Sequence, residues 1–455
     1  MGKNYDYEYI IIGSGPAGRT TASLLAKAKK SVAIVEDRLF GGSELNTRDY
    51  PYRYCLNFAK TYHDFRSSPA VNGSSCHFNL PALISNLDRE ISSIEMLYRQ
   101  ELANLGITML NGFASFLDPH TIAVNDRRLT AHHFILATGA EPKFTGISGL
   151  DAVKYYDPEN ALRIRQLPRF VFVVGGGPTG VQIAEYFAML GVGVIIMEVG
   201  DHILPREDEE VAAAITNYFT SELGITVVPN AKVIALSEDY TSKIVVFTDG
   251  TGEKMVRVDA IVLATGSAPF LDYGLENAGV TYKHTGIITD KYFSTSTKNI
   301  YAIGDSIGVD ESSSERAKLQ ARILANNLLH RQKLTPDYPA LTRHIHLQPA
   351  VAVIGLNEQD ALKRDLKYKK SIIYLNQITT LNSPEYKYGF VKLLANHSGR
   401  IIGATVVSPS AELVVSELSL ALSHHQSVET LASTPRLEDT PAAAIALAAK
   451  KLLTK

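Results

Sequence analysis

The chain repeats one glycine pattern, G-x-G-x-x-G, at residues 13–18 and again at residues 175–180. The first glycine permits a tight turn, the second lets main-chain N–H groups approach a pyrophosphate, and the third lets a helix pack closely on a strand. The helix that follows directs its N-terminus at the phosphates. The repeat therefore predicts two dinucleotide-binding βαβ units. The glycines expected to contact the cofactors are Gly13, Gly15, Gly18, Gly175, Gly177 and Gly180.

The residues around each pattern support this interpretation. Tyr9–Ile12 and Phe170–Val174 are apolar runs that lead into the two patterns, and they are predicted to be buried strands. A second strand-like run follows each pattern and ends in an acid, Glu36 in the first unit and Glu198 in the second. Because a carboxylate at this position accepts hydrogen bonds from ribose hydroxyls, both acids are expected to bind a cofactor ribose.

Glu198 also bears on which nicotinamide cofactor binds. A carboxylate there accepts the ribose 2′-OH and repels the 2′-phosphate of NADPH. Residues 199–201 supply no arginine that would reverse this preference. NADH is therefore expected over NADPH, although Arg206 lies near enough in sequence to leave dual use open.

Length and charge exclude several classes of protein. The 455 residues are enough for about three domains, and a net charge of −2 argues against a general nucleic-acid binder. No apolar run is long enough to cross a bilayer, so no membrane span is expected. The N-terminal residues 1–6 lack the apolar segment of a secretory signal, and the chain is predicted to be cytoplasmic.

The chain contains two cysteines, Cys55 and Cys76. Two thiols at this spacing are too few for a disulfide framework or a thiolate metal site. Both are therefore predicted to be buried thiols without a redox role, and no metal is expected.

The order of strand-like runs predicts one domain interrupted by another. Two runs end in a Thr-Gly pair, at residues 138–139 and 265–266, and a later run leads into Gly304-Asp305. An acid beside a glycine after a strand is a usual place for a carboxylate that binds a polyol hydroxyl, so the chain is expected to return there to its first domain. The predicted class is α/β, with two Rossmann-like dinucleotide-binding domains and a C-terminal α+β domain. The predicted boundaries are 1–152 with 270–335 for the first domain, 153–269 for the second and 340–455 for the third.

Taken in order, these residues resemble the pyridine nucleotide-disulfide oxidoreductase family, which includes dihydrolipoamide dehydrogenase, glutathione reductase, mercuric reductase and soluble transhydrogenase. The resemblance covers essentially the whole chain and includes Gly41-Gly42 and Gly112-Phe113-Ala114. It implies FAD in the first domain, NAD or NADP in the second, and a homodimer formed through the C-terminal domain. With Glu36 placed on the FAD ribose, the further cofactor contacts that it implies are Gly42, Ser43, Ala114, Thr138, Gly139, Gly266 and Asp305.

The chain departs from that family where its disulfide reductases carry two cysteines, four residues apart, that relay electrons from reduced flavin to a disulfide. Glu44 and Asp49 stand at these positions. A carboxylate cannot cycle between thiol and disulfide, so a dithiol relay is not expected here. Near the C-terminus, Thr434 stands where the family's thiol-handling members place a histidine before proline, and threonine cannot serve as the proton shuttle that histidine is.

A third departure concerns a lysine and a glutamate that the family pairs near the reactive flavin nitrogen. Counting from each motif places Arg53 and Gln182 at these positions. A guanidinium beside a neutral amide would keep a fixed positive charge near the flavin ring and favour an anionic reduced flavin. The alternative is that Arg53 pairs with Asp49 or Glu44. Candidate catalytic residues are therefore Glu44, Asp49, Arg53 and Gln182.

The function predicted from these residues is an NADH-dependent FAD oxidoreductase that passes electrons directly from flavin to a small-molecule acceptor such as a quinone, a dye, dioxygen or another nicotinamide. A soluble transhydrogenase is one alternative. A flavin-binding sensor or scaffold with little turnover is another. A third alternative is a biosynthetic oxidoreductase with Glu44 or Asp49 as acid or base, which requires that mutual repulsion or burial raise the pKa of these carboxyls.

Overall fold

The computed structural model describes residues 5–68, 77–144, 146–309 and 312–454. Its helices are α1 Pro16–Lys27, α2 Gly42–Asn46, α3 Asp49–Ser67, α4 Leu80–Asn104, α5 Pro178–Met189, α6 Glu209–Ser221, α7 Ser314–Leu329, α8 Glu358–Lys363, α9 Ala411–Ser423, α10 Val428–Ser433 and α11 Ala443–Leu453. Its strands are β1 Tyr7–Ile12, β2 Val32–Glu36, β3 Thr108–Asn111, β4 Ala114–Asp118, β5 Thr121–Val124, β6 Arg127–Leu136, β7 Ala140–Pro142, β8 Phe170–Val174, β9 Gly193–Met197, β10 Thr226–Val228, β11 Lys232–Glu238, β12 Lys243–Thr248, β13 Glu253–Val258, β14 Ala260–Leu263, β15 Ser267–Pro269, β16 Tyr282–Lys283, β17 Gly286–Ile287, β18 Ile300–Ala302, β19 Thr342–Ile345, β20 Ala350–Gly355, β21 Lys369–Tyr374, β22 Phe390–Ala395 and β23 Ile401–Ser408.

The two predicted βαβ units form for the same local reasons. The apolar strands β1 and β8 each end at a glycine in the left-handed region, Gly13 with φ +105° and Gly175 with φ +107°. Pro16 and Pro178 then begin α1 and α5, where the missing N–H of proline costs no hydrogen bond. Each helix leads back to a parallel neighbouring strand, β2 in the first unit and β9 in the second.

The chain divides into two compact units. Unit 1 is drawn from residues 1–54, 79–144 and 266–336, and unit 2 from residues 55–78, 145–265 and 337–455. The predicted domain 340–455 and the predicted domain 153–269, apart from its residues 266–269, thus lie in unit 2. This grouping differs from the predicted one, and the three domain boundaries remain predictions. Residues 55–67 of α3 also belong to unit 2, where Arg66 lies so close to Gly191 that a Cβ there would be 2.9 Å from its Nη1.

Unit 1 is built on one sheet with the strand order β3-β2-β1-β6-β5-β4, and β18 also pairs with β6. Strands β3, β2, β1, β6 and β18 run parallel, whereas β4 and β5 extend the sheet in an antiparallel meander. One apolar core includes side chains of β1, α1 and α7, and another includes β4, β5 and β6. The carboxyl ends of the parallel strands meet at one edge of the sheet, which is where open α/β sheets bind their ligands.

Unit 2 contains a parallel sheet of order β10-β9-β8-β14, an antiparallel sheet of β11, β12 and β13, and a five-stranded antiparallel sheet of order β19-β20-β23-β22-β21. Helices α9, α10 and α11 share an apolar core with the five-stranded sheet. The predicted α/β class, with two Rossmann-like units and a C-terminal α+β region, is confirmed. Among the described residues, no helix combines the length and apolar character that a membrane span needs.

Candidate functional site

The first glycine pattern forms a turn that has almost no room for side chains on its inner face. A Cβ on Gly18 would lie 1.9 Å from the Gly13 carbonyl oxygen, and a Cβ on Gly13 would lie 2.2 Å from the Ala137 oxygen. Gly15 is different, because a Cβ there would find its nearest heavy atom, Gly42 Cα, at 3.9 Å. Gly15 is the N-cap of α1 and provides no side-chain cap, so the main-chain N–H groups of the first turn are available to a ligand. This open helix N-terminus fits the pyrophosphate of a dinucleotide such as FAD.

Glu36, at the end of β2, stabilises this turn through hydrogen bonds. Its Oε2 accepts hydrogen bonds from the Ser14 N–H at 2.8 Å and from Ser14 Oγ at 2.6 Å, and its Oε1 accepts one from the Arg38 N–H at 3.0 Å. Ser14 Oγ in turn accepts the Gly41 N–H at 3.0 Å. Glu36 therefore holds the glycine turn in place, and its carboxylate retains further acceptor positions for ribose hydroxyls.

Residues 42–49, referred to below as the 42–49 segment, lie directly beside the first glycine turn. A Cβ on Gly42, which has φ +69°, would lie 2.6 Å from Gly15 Cα. A side chain at this position would therefore force the two segments apart. The close approach places Ser43 and Glu44, in α2, next to the predicted pyrophosphate site.

Glu44 lies between two cations. Its Oε1 accepts a hydrogen bond from Lys318 Nζ at 2.7 Å, and its Oε2 accepts one from Arg19 Nη2 at 3.3 Å. The Arg19 guanidinium also lies 3.6 Å from the centre of the Tyr98 ring, which holds it in place by a cation–π contact. Although burial opposes it, the hydrogen bond to Glu44 raises the pKa of Lys318. Glu44 is thus held in place by ion pairs with helices α1 and α7.

Asp49 has different surroundings. Ser314 Oγ donates a hydrogen bond of 2.5 Å to its Oδ2. The residue keeps access to solvent, but the protein atoms around it partly desolvate the carboxyl and raise its pKa. The Ser314 hydrogen bond opposes this shift, and the negative charge of Glu44 adds to it. A role as acid or base requires that repulsion and burial raise the pKa of Glu44 or Asp49, and Asp49 meets this requirement.

Arg48 links the 42–49 segment to two other parts of unit 1. Its Nη2 donates a hydrogen bond of 2.6 Å to Ser267 Oγ, and its Nη1 lies 3.8 Å from Asp305 Oδ2. Asp305 also accepts a hydrogen bond of 2.5 Å from Ser312 Oγ. The structure thus brings Asp305, predicted to bind a polyol hydroxyl, to the same edge of the sheet as the 42–49 segment.

Further predicted cofactor contacts also lie in unit 1, among them Gly266, which the predicted boundary of residues 153–269 placed in the second domain. Ala114 is buried at the start of β4, and Thr138 Oγ1 donates a hydrogen bond of 3.2 Å to the Phe270 carbonyl. Gly139 and Gly266 both have positive φ, and a Cβ on either would meet no heavy atom within 4 Å. These two glycines therefore border open space. Such space is expected beside a bound cofactor rather than inside a packed turn.

The second glycine pattern repeats the geometry of the first inside unit 2. A Cβ on Gly180 would lie 1.8 Å from the Gly175 oxygen, whereas Gly177 borders open space. Glu198 is buried, and its two oxygens accept the N–H groups of Gly176 at 2.7 Å and Gly200 at 2.8 Å. In both units, the acid that holds the glycine turn lies 22 residues after the N–H donor.

Gln182 and Arg53 make contacts that sequence reasoning did not predict. In either orientation of its amide, Gln182 bonds the main chain of His346, at 3.3 or 3.2 Å. Arg53 is exposed, and its guanidinium lies 5.8 Å from the centre of the Tyr50 ring. The ion pairs of Glu44 are made with Arg19 and Lys318.

The fully buried Glu185 lies one helical turn after Gln182 in α5. Its Oε1 accepts the Gln348 N–H at 2.8 Å, while Oε2 has no hydrogen-bond partner among the described residues. Burial raises the pKa of Glu185 well above its ordinary value, although the Gln348 hydrogen bond opposes the shift. Glu185 is therefore a buried acid that favours its neutral form.

This leads to a prediction for Glu185→Gln. A carboxyl whose pKa is raised on folding stabilises the protein below its ordinary pKa of about 4.3, and that contribution is lost as the pH rises toward the folded-state pKa. Glutamine keeps the acceptor for Gln348 and cannot ionise. The melting temperature of Glu185→Gln, relative to that of the unmodified protein, is therefore expected to rise as the pH increases from 5 to 8. Parallel curves over this range would show that Glu185 does not titrate with a raised pKa.

Sequence reasoning missed Arg19, Lys318, Ser314 and Glu185. Arg19 follows the third glycine of the first pattern, and that position was a usable signal for a residue near the site. Lys318 and Ser314 lie on α7, far along the chain, and no motif marks them. Cys55 is buried as predicted, whereas Cys76 lies outside the described residues.

Comparison with known proteins adds to this geometry. The sequence model of the family described as Pyridine nucleotide-disulphide oxidoreductase matches residues 7–322, and that of its dimerisation domain matches residues 341–447. A mercuric reductase from Streptomyces lividans is 30% identical over 98% of this chain and 96% of its own. A dihydrolipoyl dehydrogenase from Chlamydia pneumoniae is 27% identical over 95% of each chain.

Solved structures share the fold. The HOCl-induced flavoprotein disulfide reductase RclA from Escherichia coli has a TM-score of 0.86 at 22% identity, over 98% of this chain and 99% of its own. LpdA from Mycobacterium tuberculosis also has a TM-score of 0.86 at 22% identity, with the same coverage. At this level of identity the likeness extends to the fold.

Proposed function

The chain belongs to the pyridine nucleotide-disulphide oxidoreductase family, and from this premise we propose that it is an FAD-dependent NAD(P)H oxidoreductase that reduces its acceptor without a pair of redox-active thiols. Members of this family bind FAD and a nicotinamide cofactor. The finer part of the proposal concerns the acceptor and the preference for NADH.

One observation carries the proposal. Beside the first glycine turn, where the family's disulfide reductases place two thiols, this chain has Glu44 in a two-sided ion pair and Asp49 bonded to Ser314. Carboxylates cannot form or break a disulfide, so neither residue can store electrons. Cys55, the cysteine within the described residues, is buried in α3. Electrons therefore reach the acceptor directly from the flavin.

The chain supplies binding and orientation. The N-terminus of α1 is suited to hold the FAD pyrophosphate, with Glu36 and Asp305 as acceptors for its hydroxyl groups. FAD, when bound, supplies two-electron transfer between a nicotinamide and an acceptor. In unit 2, Glu198 favours a ribose 2′-OH over a 2′-phosphate, because a buried carboxylate repels the phosphate. NADH is therefore the proposed reductant. The match of residues 341–447 to the family's dimerisation domain supports a homodimer.

The test is an anaerobic titration of the purified protein with NADH and then NADPH, followed by flavin absorbance. We expect NADH to bleach the flavin at lower concentration than NADPH, and a quinone to restore the absorbance. The acceptors compared should include a quinone, dioxygen, lipoamide, oxidised glutathione and a nicotinamide analogue. Efficient turnover of either disulfide contradicts the proposal. Preferred reoxidation by the nicotinamide analogue supports the alternative of a transhydrogenase, and flavin that neither cofactor bleaches supports a sensor.

A further inference from the structure

The two carboxylates of the 42–49 segment lie in opposite electrostatic settings. Glu44 has a cation on each side, and both cations come from regular helices, Arg19 from α1 and Lys318 from α7. Two charge-assisted hydrogen bonds fix the position of its carboxylate. Glu44 therefore serves as a fixed anion that anchors α2.

Asp49 has a neutral hydroxyl, that of Ser314, as its hydrogen-bond partner. The charged groups that face it are Glu44, which opposes ionisation, and Arg48 and Lys318, which favour it. Both cations are engaged elsewhere. Arg48 bonds Ser267 and lies near Asp305, and the Lys318 ammonium bonds Glu44. Asp49 is thus left able to exchange a proton, and it keeps access to solvent.

The surroundings of Asp49 also suit a flat ring. Tyr50 and Tyr54 follow it on α3, with their ring centres 6.2 Å apart and an interplanar angle of 27°. Arg48, which precedes Asp49 in the chain, reaches Ser267, and the neighbouring Gly266 borders open space. Asp49 thus precedes a stacked pair of tyrosines on α3 and follows an arginine that reaches the open space beside Gly266, one of the predicted cofactor contacts.

We propose that Asp49 is the general acid that protonates the acceptor during reduction, and that the acceptor is of the quinone class. This inference rests on the proposed function. In the overall reaction NADH supplies two electrons and one proton, Asp49 supplies the second proton, and the quinone becomes a hydroquinone while NADH becomes NAD⁺. The Asp49 carboxylate then recovers a proton from solvent, so atoms and charges balance. When two carboxyls lie in contrasting surroundings, the surroundings decide which one acts as the acid, here Asp49, and which one remains a fixed charge, here Glu44.

The experiment compares quinone turnover with ferricyanide turnover, because ferricyanide accepts electrons without protons. For Asp49→Asn we expect the ratio of quinone to ferricyanide turnover to fall roughly a hundredfold. In the unmodified protein this ratio falls as the pH rises through the pKa of Asp49, and in the variant the pH dependence disappears. Glu315→Gln is the matched control, since Glu315 is an exposed carboxylate that also bonds Lys318, and its ratio should not change.

Two further measurements keep the inference testable if Asp49→Asn does not fold. Ser314→Ala removes a hydrogen bond that favours the charged form, so the fall in the ratio should move to higher pH. In protein labelled with 13C at the aspartate carboxyls, one signal should titrate with a pKa above the ordinary aspartate value of about 4. In Ser314→Ala this pKa should be higher still. An unchanged ratio in Asp49→Asn, or a pH profile that Ser314→Ala does not move, overturns the inference. Failure of NADH to bleach the flavin of the unmodified protein overturns the proposed function instead.

Discussion

Gly15→Val is expected to yield a folded protein that has lost its FAD. The main chain at Gly15 has φ −64° and ψ −175°, which valine adopts without strain, and the protein offers space for its Cβ. The added side chain enters the space in front of the α1 N-terminus, where the pyrophosphate is expected. We expect affinity for FAD to fall by more than tenfold, which corresponds to about 1.4 kcal/mol or more. Flavin absorbance per protein after gel filtration, together with circular dichroism, measures both parts of the prediction.

Gly177→Val is the matched control, because Gly177 has the same conformation at the start of α5, with φ −69° and ψ 178°, and also borders open space. This variant should keep its flavin and lose reduction by NADH. Gly18→Val differs from both, since its Cβ would lie 1.9 Å from the Gly13 oxygen, and it should fail to fold. If purified Gly15→Val keeps a full complement of FAD, the first glycine pattern does not bind the pyrophosphate.

Lys392→Met is expected to destabilise unit 2 by about 3–5 kcal/mol. The Lys392 side chain is 1% exposed, and its ammonium lies 3.0 Å from Asp208 Oδ2 and 2.7 Å from Glu210 Oε2, with Glu358 as a third partner. Methionine fills a similar volume but leaves the carboxylates without the central cation. Their mutual repulsion in a partly buried site then acts against folding. Urea unfolding at pH 7, followed by far-UV circular dichroism, measures the loss.

Lys370→Met is the matched control for this change. Lys370 bonds the same two glutamates, Glu210 at 3.4 Å and Glu358 at 2.8 Å, but its side chain is 48% exposed. Because solvent screens exposed ion pairs, we expect its loss to cost less than about 1 kcal/mol. Equal costs for the two variants would show that burial does not decide the strength of this cluster.

The cluster also sets a pH dependence. Although burial opposes it, the hydrogen bonds from Lys370 and Lys392 lower the pKa of Glu358 to about 2. A carboxyl whose pKa is lowered on folding stabilises the protein above its ordinary pKa of about 4.3, and this contribution is lost as the pH falls toward the folded-state value. The difference in stability between the unmodified protein and Lys392→Met should therefore narrow as the pH falls from about 4.3 toward 2.

The parts of the fold that the sequence predicted are those with local causes. Strands β1 and β8, the turns at Gly13 and Gly175 and the helices that begin at proline follow from neighbouring residues. The glycines and prolines restrict the backbone locally, and these local preferences agree with the global fold. The grouping of residues 55–67 of α3 with unit 2 was not predictable in this way, since it depends on packing between segments far apart in sequence.

The candidate site divides along the same line. The sequence identified Glu36 and Glu198, because each follows its glycine pattern on the next strand at a fixed distance, and the structure shows each one bonded to its turn. It identified Glu44 and Asp49 as a pair of carboxylates, but it could not distinguish their roles. The sequence could not predict the tertiary contacts of Arg53 and Gln182 either, since both depend on side-chain packing.

The sequence by itself predicted two dinucleotide-binding units, and the family resemblance led to the prediction that Glu44 and Asp49 stand where related reductases carry thiols. These conclusions depend on short-range spacing and on residue chemistry, which folding does not alter. The tertiary structure alone decided which carboxylate is paired with two cations and which is bonded to a neutral hydroxyl. Lys318 reaches Glu44 from 274 residues away, and Ser314 reaches Asp49 from 265 residues away. Electrostatic surroundings depend on distances of a few ångströms in space, and only the folded chain sets those distances.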